Sequence, residues 1–242
     1  MYLQLLFHKE GFFYFIKNEA NKNEKINSFK VSHSNQWETE ILKEISTNLS
    51  LRRNFKTVSV AFASSFFNLV PKVYTQIAAE SLLILSEAEF EENILLRSET
   101  QFESSFVYGT SQKLIDLVKK QYTNVVLSHS GSLFLNHLEK SEQATLHLNL
   151  IQNQLEIVAI NQGKLVFYNL FDTPTTEDIL FFTLFTLEQL NWDSNKIQLK
   201  TYGHLLPETS GFQTLRKYIR HVHTAMKDEI YLENYTLFNL AK

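Results

Sequence analysis

Two short segments hold side chains of the types that do chemistry. His221 and His223 are two residues apart, so they share one side of the chain only in a β-strand. A transition-metal site needs further ligands, and Asp228 and Glu229 are nearby in sequence only. Surface or edge histidines are the simpler interpretation, and we expect no metal site.

The second segment, Ser128–Ser132, superficially resembles a nucleophile turn because it reads Ser-His-Ser-Gly-Ser. It does not match the Gly-x-Ser-x-Gly elbow, and a neighbouring histidine cannot fold back as the base of a triad. We interpret it as a loop and N-cap before a helix that begins at Leu133. No catalytic residue is expected here.

A third candidate is a short acidic run made of Glu87, Glu89, Glu91 and Glu92. Its simplest interpretation is a solvated connection between elements. Paired carboxylates for acid–base catalysis are the alternative, since a partner carboxylate could come from any part of the chain.

Composition narrows the classes of protein further. The chain has no cysteine, which excludes disulfides, thiolate catalysis and cysteine-based zinc or iron–sulfur sites. Lys and Arg total 23 against 26 Asp and Glu, a net charge of −3, so the overall field does not attract nucleic acid and only a local basic patch would. Residues 1–17 lack the features of a secretory signal, and no apolar run approaches the roughly 20 residues that span a bilayer. We expect a cytoplasmic protein with no nucleic-acid partner and no membrane insertion.

The same series of elements is predicted twice along the chain. Leu3–Phe7, Phe12–Ile16 and Ile26–Val31 have strand composition and are followed by a helical pattern and a strand at Thr57–Phe62. From Leu146 the pattern repeats. Its first strand alternates Leu146, Leu148 and Leu150 with His147 and Asn149, which predicts one buried face. Two further strands joined by tight turns, a helix whose N-cap is predicted at Thr173, and a final strand follow. The recurrence at an offset of roughly 140 residues predicts an internal duplication. Between the two copies, a helix is predicted at Pro71–Ser86 and an amphipathic helix at Ser111–Tyr122, and after the second copy the tail Glu229–Lys242 alternates weakly.

The elements also resemble a known fold family. The residues that carry the resemblance are Leu3–Phe62, Leu146–Thr201, Leu69–Tyr74, Phe106–Tyr108 and the terminal run Tyr235–Leu240. A meander, helix and strand unit used twice is how the actin-like ATPase superfamily is built, each half being ribonuclease H-like. The whole chain resembles a bacterial domain-of-unknown-function family that has this fold.

The resemblance implies an α/β fold of two ribonuclease H-like halves, each a β-β-β-α-β unit with a mixed sheet, in the actin-like ATPase arrangement. Residues 1–142 are expected to form the first lobe, with extra strands and helices, and residues 143–242 the second lobe, with a cleft between them. The resemblance implies no established activity, because the family has none.

Active members of the superfamily carry an acidic residue on the first strand of each half and a glycine-containing turn around the phosphates. The corresponding turns here are His8–Gly11 and Ile151–Gln154, and neither first strand holds Asp or Glu. One glycine stands where the family has a pair after the last strand of the second half. The cleft candidates that remain for cofactor binding are Lys9, Gly11, Asn153 and Gly203. For Lys9 and Gly11, a plain hairpin turn with a solvated lysine is the simpler interpretation.

The segment Ile179–Phe185 is apolar on every side, unlike an ordinary surface helix. We expect a central helix in which Ile179, Phe181, Leu184 and Phe185 are largely buried. The alternative is that one side docks a partner or a second copy of the chain.

Two functions remain open. The favoured one is a non-catalytic, pseudo-ATPase protein without a cofactor, which binds a macromolecular partner or itself, because the acidic and glycine positions are missing. The alternative is a divergent nucleotide-binding phosphotransferase that uses the cleft.

Overall fold

The computed structural model describes residues 1–17, 26–33, 36–74, 76–77 and 93–240. The strands of this part of the chain are Tyr2–His8 (β1), Gly11–Lys17 (β2), Ile26–Lys30 (β3), Thr57–Phe62 (β4), Phe67–Pro71 (β5), Asn93–Glu99 (β6), Ser104–Ser111 (β7), Val125–His129 (β8), Thr145–Ile151 (β9), Gln154–Asn161 (β10), Lys164–Asp172 (β11), Gln198–Gly203 (β12) and His221–Thr224 (β13). Its α-helices are Trp37–Thr47 (α1), Gln112–Gln121 (α2), Ser130–Asn136 (α3), Thr176–Gln189 (α4), Ser210–Tyr218 (α5), Glu229–Glu233 (α6) and Tyr235–Asn239 (α7). None of the described helices is long and apolar enough to cross a membrane.

The chain divides into two compact units. The first contains Met1–Asn136 and Thr236–Lys242, and the second contains His137–Tyr235. The lobe boundary expected between residues 142 and 143 stays a prediction, because compactness does not define the limits of a sequence repeat.

Each unit contains a five-stranded mixed sheet, and the two sheets have the same strand order. The orders are β3-β2-β1-β4-β8 and β11-β10-β9-β12-β13. In both, the first strand pairs antiparallel with the second and parallel with the fourth. The predicted α/β fold with one meander, helix and strand in each half is confirmed.

The first sheet is held by aromatic packing and by the helices beside it. The Phe7 ring lies 5.4 Å from that of Phe12 and 5.3 Å from that of Phe62, so neighbouring strands are joined ring to ring. Helix α1 buries Ile41 and Ile45. Helix α2 is amphipathic as predicted, and it begins at a Ser111 cap whose hydroxyl accepts a hydrogen bond from the Leu114 N–H.

The second sheet packs one face against α4 and α5. Its alternating leucines on β9 form the centre of this core, together with residues of β10, β12 and both helices; the β9 leucines are Leu146, Leu148 and Leu150. Gly211 sits where α5 approaches Leu205, whose side chain would lie 2.9 Å from an added Cβ. The alternation of leucines along β9 thus predicts the buried face of this sheet correctly.

Two local predictions were wrong. Helix α4 is capped by Thr175, not Thr173, because the Thr175 hydroxyl and the Asp178 carboxylate form a reciprocal capping box. Pro71 ends strand β5 instead of beginning a helix; Lys72–Tyr74 form a 3₁₀ turn, and most of the rest of that predicted helix lies outside the described residues. The tail, whose sequence alternates only weakly, forms helices α6 and α7.

Candidate functional site

Lys9 and Gly11 lie in the tight turn between β1 and β2, where His8 pairs with Gly11. The Lys9 side chain is exposed. Gly11 has a φ of 144°, and a Cβ there would lie 2.0 Å from the carbonyl oxygen of Phe29 on β3. The close approach of β3 explains why this position is glycine, and no bound phosphate is needed to explain it.

Asn153 and Gly203 lie at the same end of the second sheet. Gly203 ends β12 opposite Leu150, and Asn153 lies in the turn that follows β9. Gly203 has a φ of 67°, and a Cβ there would lie 2.2 Å from the Leu150 carbonyl oxygen. The Asn153 carbonyl oxygen accepts hydrogen bonds from the N–H (2.7 Å) and the hydroxyl (3.3 Å) of Thr173. Both residues thus serve the sheet and its turns.

Lys9 and Gly11 belong to the first unit, whereas Asn153 and Gly203 belong to the second. The members of each pair lie at one end of their own sheet. A common cleft for all four stays a prediction.

The Ser128–Ser132 run is not the predicted loop, because β8 continues to His129 and α3 begins at Ser130. His129 is fully buried. Its Nδ1 accepts a hydrogen bond from the Gly131 N–H at 3.0 Å, which leaves Nε2 to donate to the Ser64 carbonyl oxygen at 2.9 Å. Burial lowers the pKa of His129 to about 4. With both ring nitrogens bound to backbone groups, this histidine has no free nitrogen to accept a serine proton.

Aromatic side chains enclose the His129 ring. It stacks on Phe106 at 4.5 Å and lies 5.1 Å from the Phe67 ring and 5.2 Å from the Tyr108 ring. The Ser132 hydroxyl donates to the His129 carbonyl oxygen at 2.8 Å. His129 is therefore part of the core of the first unit, and its role is structural.

His221 and His223 lie on β13, at the edge of the second sheet, as the simpler interpretation has it. Among the described residues, no three His, Cys, Asp or Glu side chains are grouped so that they could hold a metal ion. The acidic run of residues 87–92 lies outside the described residues.

The second sheet buries a polar cluster on the face opposite its leucine core. Asn149 of β9 and Glu156 of β10 are direct partners in register, and both are buried. The Asn149 amide nitrogen donates to Glu156 Oε2 at 2.6 Å, and the Tyr168 hydroxyl donates to Oε1 at 3.1 Å. Burial, followed by the charge of Glu156, raises the pKa of Tyr168 well above its ordinary value. Both carboxylate oxygens are thus engaged within the protein.

His147 lies on the same face as Asn149, two residues earlier. Its Nδ1 is 3.1 Å from the Tyr202 hydroxyl, and the Tyr202 ring packs edge-on against Tyr235 at 4.7 Å. Burial, with a smaller effect of Lys200, lowers the pKa of His147 to about 3, so the ring is neutral. Its Nε2 is buried and has no hydrogen-bond partner among the residues that the structure describes. The sequence pattern had placed His147 and Asn149 on an exposed face; that was wrong because both faces of this central strand are covered.

Helix α4 exposes two phenylalanines that were expected in the core. Phe181 is 59% exposed and Phe185 45% exposed, and their rings stack 5.9 Å apart at an interplanar angle of 13°. Behind them, Phe182 lies 5.2 Å from Phe181 and stacks on Phe171 of β11 at 4.2 Å. We call Phe181 and Phe185 the aromatic ridge. For these two residues the expected burial was wrong, whereas Ile179 is buried as expected and Leu184 is half-buried.

The threonines explain why the sequence misled. Thr183 and Thr186 are buried, and their hydroxyls donate to the carbonyl oxygens of Ile179 and Phe182, four residues earlier in each case. With the hydroxyls satisfied by the helix itself, the threonines can face the sheet. The phenylalanines are left on the solvent side. Side-chain polarity alone would place the phenylalanines in the core and the threonines in solvent.

Comparisons with known proteins identify the fold. A protein of unknown function from Bacteroides thetaiotaomicron with an actin-like ATPase fold is similar over 100% of this chain and 95% of its own, with a TM-score of 0.83 and 18% identity. The PilM–PilN type IV pilus biogenesis complex gives a TM-score of 0.62 at 12% identity over 99% of this chain and 97% of the other. The cytoplasmic domain of EpsL, an inner membrane component of the Vibrio cholerae type II secretion system, gives 0.55 at 14% identity, over 99% and 94%.

No curated protein sequence matches this chain. The profile of a family described as proteins of unknown function, DUF3822, matches residues 1–222. The resemblance inferred from the sequence is confirmed, and the chain belongs to the DUF3822 family and has the actin-like ATPase fold.

Proposed function

We propose that this chain is a non-catalytic protein of actin-like ATPase fold that binds a protein partner through the aromatic ridge. The observation that carries the proposal is the stacked, exposed pair Phe181 and Phe185 on α4. Burying a phenylalanine side chain is worth about 1.5–3 kcal/mol, so leaving two in water forgoes stabilisation that a partner can supply. Adjacent exposed aromatic side chains mark interaction sites in other proteins.

The ridge is supported from below, which suits a binding surface. Phe182 and Phe171 stack beneath it, and Ile179 anchors the helix in the core. The capping box at Thr175 also fixes the start of α4. A partner would meet aromatic rings already held in place, so little side-chain entropy is lost on binding.

The residues near the predicted phosphate turns support a role without catalysis. Gly11 and Gly203 are each accounted for by a close backbone approach within a sheet. The buried carboxylate nearest to the second turn, Glu156, has both oxygens in hydrogen bonds to protein groups. Among the structural neighbours, PilM forms a complex with PilN, so protein binding occurs on this fold.

The experiment compares Phe181→Ser/Phe185→Ser with the matched control Val126→Ser/Ile230→Ser, whose parent residues are also exposed. Each purified protein is immobilised and used to capture partners from an extract of the source cell, and self-association is measured by sedimentation. We expect the ridge variant to lose the wild-type partner, or self-association, while the control keeps it. Equal capture by both variants at unchanged melting temperature would contradict the proposal.

A further inference from the structure

Five exposed cations gather at one end of the first unit. Two segments meet there: the Gln121 amide donates to the carbonyl oxygens of Ile45 (3.1 Å) and Leu51 (3.2 Å), and the Asn124 amide donates to that of Lys56 (3.1 Å). The cations on these segments are Arg52, Arg53, Lys56, Lys119 and Lys120, and we call them the basic end.

Few carboxylates lie near these cations along the chain. No Asp or Glu occurs in residues 45–62 or 117–128. The nearest along the chain are Glu44, which accepts a hydrogen bond from the Asn48 amide, and Asp116, which accepts one from the Gln112 amide. Counting both, five cations minus two carboxylates leaves +3, in a chain whose net charge is −3. The charge of these two segments is therefore opposite in sign to that of the whole chain.

An exposed leucine stands at the tip of the same segment. Leu49 is 78% exposed. Its turn is fixed by Asn48, whose side-chain oxygen accepts from the Ser50 N–H (2.9 Å) and whose carbonyl oxygen accepts from the N–H groups of Leu51 (3.0 Å) and Arg52 (3.1 Å). The turn thus has defined hydrogen bonds, and it presents an apolar side chain to solvent three residues before the pair Arg52 and Arg53.

We infer that the basic end docks the first unit on the surface of a bilayer that contains anionic phospholipid, with Leu49 entering the interface. Each Lys or Arg held near the headgroup phosphates shifts the membrane-partition equilibrium roughly several-fold toward the bound state. The Leu49 side chain enters the apolar boundary between the headgroups and the acyl chains. Nucleic acid would also attract the cations, but its phosphate backbone gives no apolar contact to Leu49, so the lipid surface fits both features.

The basic end belongs to the first unit and the aromatic ridge to the second, so the inference goes beyond the proposed partner binding. The corresponding end of the second unit offers a built-in comparison. Arg216 and Lys217 occupy the last turn of α5, as Lys119 and Lys120 occupy the last turn of α2. There the loop before the fourth strand packs Trp192 against the core and places Asp193 3.6 Å from Lys196.

The test is co-sedimentation of the full chain with vesicles of phosphatidylcholine, with or without about one third phosphatidylserine. We expect binding only to the anionic vesicles, with release as salt rises from about 0.1 to 0.5 M. Lys119→Glu/Lys120→Glu is expected to lower the partition coefficient about tenfold or more. Arg216→Glu/Lys217→Glu, with the same change in charge at the same helix position, is expected to stay within about twofold of wild type. Leu49→Ser is expected to weaken binding about threefold or more without altering its salt dependence.

Melting temperatures establish that each variant folds. If Lys119→Glu/Lys120→Glu does not fold, Arg52→Ala/Arg53→Ala is used in its place. The inference is overturned if anionic vesicles are not bound, if neutral vesicles bind equally, or if the Arg216/Lys217 control loses as much binding as the Lys119/Lys120 variant. Preferential binding of single-stranded RNA, measured by fluorescence anisotropy, would assign the cations to nucleic acid and also overturn it. Phe181→Ser/Phe185→Ser keeps vesicle binding, which separates this test from that of the ridge.

Discussion

The two five-stranded sheets share strand order and register but differ in what they bury. At equivalent register positions on the first, second and fourth strands, the first sheet has Leu6, Phe13 and Ala61. The second sheet has Asn149, Glu156 and Tyr202 at those positions. Strand order and register therefore fix where side chains meet, while their polarity is free to change, provided that buried polar groups find partners.

The largest expected effect comes from breaking the polar cluster of the second sheet. Glu156→Ala leaves the Asn149 amide and the Tyr168 hydroxyl without their carboxylate, and each orphaned group costs about 1–3 kcal/mol. We expect a loss of about 4 kcal/mol in the free energy of unfolding. Denaturant unfolding monitored by circular dichroism measures it.

Transplanting the residues of the first sheet is the control for that loss. Asn149→Leu/Glu156→Phe supplies the apolar residues found at the equivalent positions, Leu6 and Phe13, and adding Tyr168→Phe removes the hydroxyl that would otherwise lose its acceptor. Replacing a group of buried polar side chains together by apolar residues is often nearly neutral, so we expect the triple variant to cost within about 1.5 kcal/mol. If the triple variant is at least as unstable as Glu156→Ala, the cluster is needed for more than mutual satisfaction, and the comparison of the sheets is wrong.

Acid is expected to destabilise both units through one buried histidine in each. The pKa of His129 lies at about 4 and that of His147 at about 3, both below the unfolded value of roughly 6.5. The unfolded state therefore binds protons first, so the stability from neutral rings is present above pH 6.5 and is lost as pH falls toward 3–4. For His129 the loss is about 3 kcal/mol.

The free energy of unfolding measured between pH 7.5 and about pH 4 tests this prediction. His129→Gln and His147→Gln should each flatten the acid limb of the profile by about one proton. A profile that stays unchanged in both variants would show that the acid response comes from carboxylates instead.

Within the second unit, the two sides of α4 should respond differently to truncation. Ile179→Ala removes a buried side chain and is expected to cost about 3 kcal/mol. Phe181→Ser and Phe185→Ser alter exposed side chains, and each should change the free energy of unfolding by less than about 1 kcal/mol. Thermal unfolding of the three variants measures the contrast. Large losses at Phe181 or Phe185 would mean that the ridge is part of the core.

The periodic and propensity signals of the sequence were enough for the fold. Alternating leucines on β9 and the amphipathic pattern of α2 predicted their elements, because one face of each is buried against an apolar core. Local signals did less well at boundaries. Two threonines, Thr173 and Thr175, could both cap α4, and the position of Asp178 decides between them through the capping box.

The functional surfaces were harder to predict, because they depend on which side of an element is covered. His147 and Asn149 are polar but buried, whereas Phe181 and Phe185 are apolar but exposed. Residue type alone would predict the two polar side chains to be exposed and the two apolar ones to be buried. Glu156 gives no local signal either, since its partners Asn149 and Tyr168 are on neighbouring strands and the pairing exists only once the sheet has formed.

The most direct test of a non-catalytic role is thermal unfolding of the full chain with and without millimolar ATP and magnesium. A nucleotide at a hundred times its dissociation constant would add about 2.7 kcal/mol of stability, which is readily measured. Neither first strand supplies a carboxylate, and the glycines of the predicted cleft serve backbone packing, so we predict no shift in melting temperature. A saturable rise in melting temperature that disappears in Lys9→Ala would contradict the account and restore the nucleotide-binding alternative.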